Sequence, residues 1–178
     1  MHPKLLNKVN KAAKSQQMMI SELNNPDPEL LIFKPDVNSW NILEVVEHCK
    51  NVDALTFTYL KKYQDYPSRP AGIKENIRGI LLKLALKGGF KFKVPNKSLL
   101  PEGKFSPQEL AEKWIAKRME IIKFLETFPE EKLNYAIFKH PRAGYITIVQ
   151  TIDFINDHTI HHRNQISRIK ETYGKKGY

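Results

Sequence analysis

The chain has 178 residues and a formal net charge of +10, with 41% hydrophobic and 27% charged residues. This composition is ordinary for a globular protein, and the length suits one domain over residues 1–178. No apolar run approaches the ~20 residues that span a bilayer, and the N-terminus lacks the apolar block of a secretory signal. The single cysteine, Cys49, excludes an intramolecular disulfide and a multi-cysteine zinc site. We therefore predict a cytoplasmic protein without a membrane partner.

The positive charge is concentrated between Lys61 and Lys104, where eleven Lys and Arg residues are set against three acidic residues, a net +8. Such a concentration can mark a surface that binds nucleic acid or another acidic partner. Lysine outnumbers arginine there and no nucleic-acid-binding motif accompanies it, so a solvated connecting segment is favoured over nucleic acid. A third interpretation is that some of these cations attract an acidic small substrate.

Hydrophobic residues recur at helical spacing in five segments of the chain. We predict four long helices and one short helix, over Lys4–Asn24, Asn41–Tyr66, 74–88, Ser106–Phe128 and Thr147–Thr172. Three of these helices begin with side chains typical of helix caps, in Asn41-x-x-Glu44, Ser106-Pro107-x-Glu109 and Thr147-x-x-Gln150.

This order of elements favours an all-α fold, a four-helix bundle. The connection between the second and third long helices, about residues 67–105, is long enough for a crossover and carries the extra short helix. Its second half, Phe90–Lys104, reads as irregular. Loops are predicted from the end of the first helix to Ser39 and, rich in turn residues, over His140–Gly144. The helices leave no room for a sheet of any size.

Three histidines form the most informative pattern. His158 and His162 are four residues apart, so on a helix they project from one face, which also carries Ile155 and other apolar residues. A separate helix supplies His48. Two imidazoles from one helix and one from another can build a three-histidine site for a divalent metal with an open coordination position. The alternative is that all three are hydrogen-bonded core residues.

Other polar residues near this pattern receive different roles. His161 lies about 100° around the helix from His162, which indicates a surface or interface role. His140 is predicted to be a structural loop residue, and Cys49 a buried, inert thiol. Asp153 or Asp157 would orient an imidazole as a hydrogen-bond acceptor. Arg163, which precedes Asn164 and Gln165, is expected in an exposed salt bridge rather than on a substrate carboxylate.

Two hydrolytic chemistries are disfavoured by motifs that the chain lacks. It contains no Gly-x-Ser-x-Gly nucleophile motif. It also contains no His-Glu-x-x-His, so no acid lies between the paired histidines to act as the general base of a metalloprotease. The sequence therefore supports neither a nucleophilic triad nor peptide hydrolysis.

Three blocks of the chain together resemble one family. Ser39–His48 is similar to its Trp-Ser/Asn-x-x-Glu-x-x-x-His opening of the second helix. His140-Pro141-x-x-Gly144-x-x-Thr147 is similar to the loop that caps its last helix, and His158–Gln165 to its closing His-x-x-x-His-Arg-Gly-Gln block. By these blocks the chain resembles the DinB-like superfamily of metal-binding four-helix bundles, which includes thiol-dependent S-transferases and maleylpyruvate-isomerase-like proteins.

The resemblance implies that His48, His158 and His162 bind a divalent metal, zinc or nickel first and iron as a third candidate. It also implies a homodimer and a small-molecule substrate, with a low-molecular-weight thiol held for attack on an electrophile, or a bound hydroxide in a hydrolase. Whether the protein is an enzyme stays open. The other interpretation is a non-catalytic, metal-containing binding module whose basic residues 61–104 contact nucleic acid or another acidic partner.

Overall fold

A computed structural model of the protein describes residues 1–25, 27–63, 69–88, 94 and 96–176. These residues form six α-helices: α1 (Pro3–Ile20), α2 (Pro28–Ile32), α3 (Ile42–Tyr63), α4 (Ile73–Lys87), α5 (Pro107–Glu126) and α6 (Ile148–Lys175). They also form two strands, β1 (Ala136–His140) and β2 (Gly144–Thr147), and short 3-10 turns at Ser21–Asn24, Lys97–Leu99 and Glu130–Lys132. None of the described helices has a stretch apolar enough to cross a bilayer.

Four long helices make the bundle, and the predicted all-α fold is confirmed. Each contacts two neighbours in the cyclic order α1, α6, α3, α5. The connection between α3 and α5 carries α4, which packs against α6 and β2 on the outside of the bundle. The predicted short helix over 74–88 is therefore present, and it lies beside the helix that carries the paired histidines.

The predicted caps form at the start of the long helices. Asn41 and Glu44 exchange side-chain and backbone hydrogen bonds at 2.8 and 2.9 Å ahead of α3. Thr147 and Gln150 do the same ahead of α6 at 2.9 and 3.2 Å. Because these bonds satisfy N–H groups that the first turn leaves free, they fix where each helix begins. The site helices α3 and α6 therefore start where the sequence predicts.

Several boundaries differ from the prediction. The first helix ends at Ile20 and continues only as a 3-10 turn to Asn24. The predicted loop before Ser39 contains α2, because the Asp27 side chain accepts hydrogen bonds from the Glu29 and Leu30 N–H groups. The predicted end of the second helix, residues 64–66, lies outside the described residues, as do residues 90–93 and 95 of the predicted irregular stretch.

The β-hairpin is an element that the sequence did not predict. β1 and β2 pair antiparallel with His140 opposite Gly144, so the predicted turn-rich loop is the hairpin turn itself. Gly144 has a φ of 71°, a conformation that glycine adopts without strain. A register irregularity between Ala136 and Phe138 breaks the two-residue alternation that signals a strand. The hairpin contacts α3, α4 and α6 and places His140 beside the histidine helix.

The buried apolar residues divide into two clusters, one toward each end of the bundle. Along α3, one cluster ends at Cys49 and the other begins at Val52. Along α6, one ends at Ile155 and the other begins at Ile166. The three predicted metal ligands lie in or beside the gap between the clusters, which leaves a polar layer in the middle of the bundle.

Candidate metal centre

The structure brings the three predicted histidines together. His158 and His162 project from α6 one turn apart, and His48 reaches them from α3. Their ring centroids lie 4.5 Å apart for His158 and His162, 4.8 Å for His48 and His162, and 5.2 Å for His48 and His158. One nitrogen from each ring lies within 4.8 Å of the others, and two of the rings are buried. The arrangement is a compact three-imidazole cluster.

Hydrogen bonds on the far side of two rings fix their orientation. His48 donates from Nδ1 to the Leu99 carbonyl at 2.8 Å, and His162 donates from Nδ1 to Oε1 of Gln165 at 2.8 Å. A neutral imidazole with its proton on Nδ1 has a free lone pair on Nε2. Both rings are therefore held with an unprotonated Nε2 available to a ligand, which is the usual arrangement around metal-bound histidines.

The acidic residues predicted to orient the imidazoles have other partners, so that prediction is wrong. Asp153 binds Nζ of Lys8 at 2.7 Å, and Asp157 accepts from the Asn156 amide at 3.1 Å. On α6 both carboxylates lie on the side that faces α1 or α4 rather than α3. A backbone carbonyl and a glutamine amide take the orienting role instead.

The distance between the two α6 ligand atoms fits one divalent ion. Nε2 of His158 and Nε2 of His162 are 3.2 Å apart. Two nitrogens bound at about 2.05 Å and separated by this distance subtend an angle of about 100° at the ion, between octahedral and tetrahedral values. The ligand nitrogen of His48 lies within 4.8 Å of the other two. It would therefore need to approach by at most about 1.5 Å to reach the ~3.3 Å spacing of tetrahedral ligands. The cluster is therefore compatible with a divalent metal site.

Burial keeps the cluster uncharged. Burial, with a further contribution from His48, lowers the pKa of His162 to about 3. Burial and the two neighbouring rings lower the pKa of His158 well below its usual value, and burial lowers that of His48 despite its bond to Leu99. Metal ligation requires a neutral imidazole, and the three rings are already neutral at neutral pH. An ion would have to displace only the proton between Nε2 of His158 and Nε2 of His162.

A cavity of about 150 Å³ opens beside the cluster. Its walls are mostly apolar and include residues from α3, α4, the hairpin and α6, among them Val52, Leu55, Leu82, Leu86, Val94, Leu99, Phe138 and Phe154. The Trp40 ring lies 4.8 Å from the His48 ring at the same cavity. The cluster is therefore accessible to a small molecule through a largely apolar space rather than closed on all sides.

Sequence comparison identifies the family. The family model of the DinB superfamily matches residues 12–166. The chain belongs to the DinB superfamily. It is also 31% identical over 153 residues, 85% of this chain and 90% of the relative, to the uncharacterized protein YuaE of Bacillus subtilis (strain 168). No solved structure shows a significant match to it.

In this DinB protein the α3–α5 connection contributes directly to the site. Leu99 supplies the carbonyl that orients His48, and Leu82, Leu86 and Val94 form part of the cavity wall. Sequence analysis did not detect this role, because any residue offers a carbonyl and nothing in the spacing links Leu99 to a helix about fifty residues earlier. In the sequence this segment is conspicuous for its positive charge, but its contribution to the site comes from its leucines.

Two further histidines line the cavity. His161 is half-buried and its Nδ1 donates to the Leu86 carbonyl at 3.0 Å, so the predicted surface or interface role is wrong. The physical reason is that α4 covers this side of α6. His140 is buried at the end of β1, where its Nδ1 accepts from the Arg142 and Ala143 N–H groups. It has the predicted structural contact and also faces the cavity.

Of two predictions for neighbouring residues, one is confirmed in full and the other in part. Cys49 is 1% exposed, and burial raises the pKa of its thiol well above its usual value, so it is neither a thiolate nor a reactive group. Nε of Arg163 lies 3.7 Å from Oε1 of Glu22, so the predicted ion pair is present. It is only partly exposed, because the side chain of Arg163 is 41% exposed and that of Glu22 is 14% exposed. Neither residue belongs to the three-histidine cluster.

Proposed function

We propose that this DinB protein is a metal-dependent enzyme in which His48, His158 and His162 hold one divalent ion, zinc or nickel first and iron as a third candidate. The observation that carries the proposal is a neutral three-histidine cluster that opens onto a cavity. Three protein ligands leave at least one coordination position for a small molecule, the pattern of catalytic sites rather than structural ones. Membership of a superfamily with metal-binding members supports it.

The chemistry that suits the site best is thiol transfer to a small electrophile in the cytoplasm. A divalent ion held by these histidines would supply Lewis acidity, which favours the thiolate form of a thiol. The chain itself orients the ligands through Leu99 and Gln165 and excludes water with the apolar cavity wall and Trp40. A hydrolase that uses bound hydroxide is the variant of the same proposal.

Cobalt substitution tests the transferase directly. The protein is freed of metal with a chelator, loaded with Co²⁺ and titrated with cysteine, glutathione and other low-molecular-weight thiols while the visible spectrum is recorded. We expect one thiol to perturb the cobalt bands, and His161→Ala, which leaves the three ligands in place, to bind cobalt as the wild type does. Cobalt bands that no thiol changes would contradict the transferase and leave the hydrolase, tested with ester substrates.

The non-catalytic binding module is the second candidate, supported by the exposed lysines of the α3–α5 connection. Lys74, Lys83, Lys87 and Lys97 are all exposed. If they contact nucleic acid, affinity falls steeply with ionic strength and is lost when Lys91, Lys93 and Lys97 are replaced by Gln. No binding to DNA or RNA at 50 mM salt removes this candidate.

A homodimer is part of the proposal, and α4 offers a surface for it. Five large apolar side chains on its outer face are 50–79% exposed: Ile73, Ile77, Ile80, Leu81 and Leu84. Such a stripe at helical spacing is typical of an interface. Sedimentation of the wild type should give a dimer, and Leu81→Glu should give a monomer that still binds metal. A wild-type monomer at 100 µM would contradict this.

A further inference from the structure

His140 is held in one tautomer by the hairpin turn. Its Nδ1 lies 3.2 Å from the Arg142 N–H and 3.1 Å from the Ala143 N–H. Both are backbone donors, so Nδ1 is an acceptor and carries no proton. In a neutral imidazole the proton must then be on Nε2. The hairpin turn thereby makes the other edge of the ring a hydrogen-bond donor.

The ring position is also fixed. His140 is 8% exposed, and its ring centroid lies 4.6 Å from that of Phe154 and 6.3 Å from that of Phe138. Phe154 in turn lies 5.4 Å from the ring of His158. His140 and the metal cluster therefore line one cavity on either side of a shared phenylalanine. Because the turn occupies Nδ1, Nε2 is the nitrogen left for a molecule in that cavity.

The protonation state agrees with this geometry. Burial, followed by the charge of Arg142, lowers the pKa of His140 to about 4. The ring is therefore a neutral donor at physiological pH and not a cation that would select an anion. Around it the wall is mainly aliphatic and aromatic, so a donor here has little competition from water and a bound acceptor gains more than it would in solvent.

We infer that the cavity selects a small, largely apolar molecule that carries an uncharged oxygen acceptor, such as a ketone, aldehyde or ester carbonyl, and that His140 Nε2–H donates to this oxygen. The inference deepens the proposed function by naming the chemical class of its electrophile, and it rests on that function only for what happens after binding. A hydrogen bond to a carbonyl oxygen draws electron density from the carbon, the atom that a thiolate or hydroxide attacks.

A matched pair of ligands tests the donor without any metal. Acetophenone and α-methylstyrene have almost the same shape, but only the ketone has an oxygen acceptor. Their affinities for chelator-treated, ¹⁵N-labelled protein are measured by chemical-shift titration. We expect the ketone to bind about five- to tenfold more tightly, the value of one net hydrogen bond. His140→Phe should bring the ratio to one or below, because the ketone oxygen then loses its donor. His140→Gln, which can both accept and donate, should retain part of the preference.

The tautomer of His140 can also be measured in the wild type, which does not require His140→Phe to fold. Long-range ¹H–¹⁵N correlation of the wild type should show His140 with Nδ1 unprotonated and Nε2 protonated, and acetophenone should shift that Nε2–H signal. An Nδ1–H tautomer, or equal affinity for the two ligands, overturns the inference. Benzoate binding more tightly than acetophenone overturns it too, since Arg142 also lines the cavity and would then select carboxylates.

The outcomes separate this inference from the proposed function. A ketone preference in a protein that binds no metal would sustain the role of His140 and remove the metal enzyme. Metal binding without a ketone preference would support the metal enzyme and remove the proposed role of His140. Neither result depends on knowing the natural substrate.

Discussion

Gln165 is the side chain that decides how His162 faces the cavity. Its Oε1 accepts the Nδ1–H of His162 at 2.8 Å, one turn along α6, and so holds the ring with Nε2 toward His158. Groups that orient a metal ligand in this way contribute strongly to affinity although they do not touch the ion. Gln165 lies three residues after His162, so the two side chains meet on one face of α6.

Replacing Gln165 by Leu should lower the affinity for zinc by about 10- to 100-fold, since His162 loses its acceptor. Gln165→Glu keeps an acceptor and should bind zinc at least as well as the wild type. Affinity is measured by competition with a chelating dye. Asn164→Ala, at an exposed neighbouring position, serves as the control. An unchanged affinity in Gln165→Leu would show that the ring is oriented by packing alone.

That His48, His158 and His162 lie together could be predicted from sequence, but the groups that orient their rings could not. The spacing of His158 and His162 dictates a common helix face, and the apolar residues on that face dictate that it is buried. The acceptor for His48 is a backbone carbonyl in the α3–α5 connection, which has no sequence signature. Asp153 was expected to orient an imidazole because it is an acid close to the histidines in sequence, but its carboxylate pairs with Lys8 of α1 instead.

At the scale of elements, a buried ion pair joins α3 to α5. Asp53 accepts from Nε and Nη2 of Arg118 at 2.8 and 2.5 Å and from the Trp114 indole at 2.7 Å. Gln16 of α1 donates to the Trp114 carbonyl at 3.0 Å. These residues are all buried, so the network adds to the polar layer between the two apolar clusters. It fixes how α1, α3 and α5 align.

Asp53→Ala should destabilise the protein by about 3–5 kcal/mol, because it leaves the Arg118 guanidinium buried without its carboxylate. The free energy of unfolding is measured with guanidinium chloride. Glu120→Gln breaks the exposed Lys117–Glu120 pair of the same helix and should cost less than about 1 kcal/mol. If the two variants lose the same free energy of unfolding, the buried pair contributes no more to stability than the exposed one.

Glu75 anchors the start of α4. It accepts from Nη2 of Arg69 at 2.6 Å and from the Gly72 N–H at 2.8 Å, and these bonds lower its pKa to about 2. A carboxyl whose pKa is lower in the folded state stabilises the fold above its ordinary pKa of 4.5, and this contribution disappears as the pH falls toward about 2.

The melting temperatures of wild type and Glu75→Gln should therefore differ most above pH 5 and converge as the pH approaches 2. Calorimetry between pH 2.5 and 6 measures this. Glu112→Gln, an exposed position on α5, controls for the general loss of one negative charge. A difference that stays constant over this range would mean that the Glu75 carboxylate does not stabilise α4.

Element prediction succeeded where caps and long periodicity coincide and failed where elements are short. The starts of α3, α5 and α6 follow from their capping residues. The hairpin was not predicted because β2 has only four residues and the bulge in β1 interrupts the alternation of apolar and polar residues that indicates a strand. The helix α2 was not predicted because it has only five residues, too few to show an amphipathic pattern after its Asp27 cap.

At the scale of the whole molecule, the α3–α5 connection completes the bundle on the side where its histidines lie. α4 presents apolar residues on two faces: Leu82 and Leu86 toward the cavity, and Ile77, Leu81 and Leu84 toward solvent. In the sequence, the apolar residues that face solvent make a clearer helical pattern than Leu82 and Leu86. The contribution of these two leucines to the cavity wall could therefore not be predicted. The pocket is a product of tertiary packing.

Metal content tests the central claim most directly. Untagged wild type, His162→Ala and His161→Ala are purified without added metal and measured by mass spectrometry, then measured again after reconstitution with zinc or nickel. We predict about one divalent ion per chain in the wild type and in His161→Ala, and none in His162→Ala. If the wild type holds no metal even after reconstitution, or if His162→Ala holds as much, the three histidines are core residues and not a metal centre.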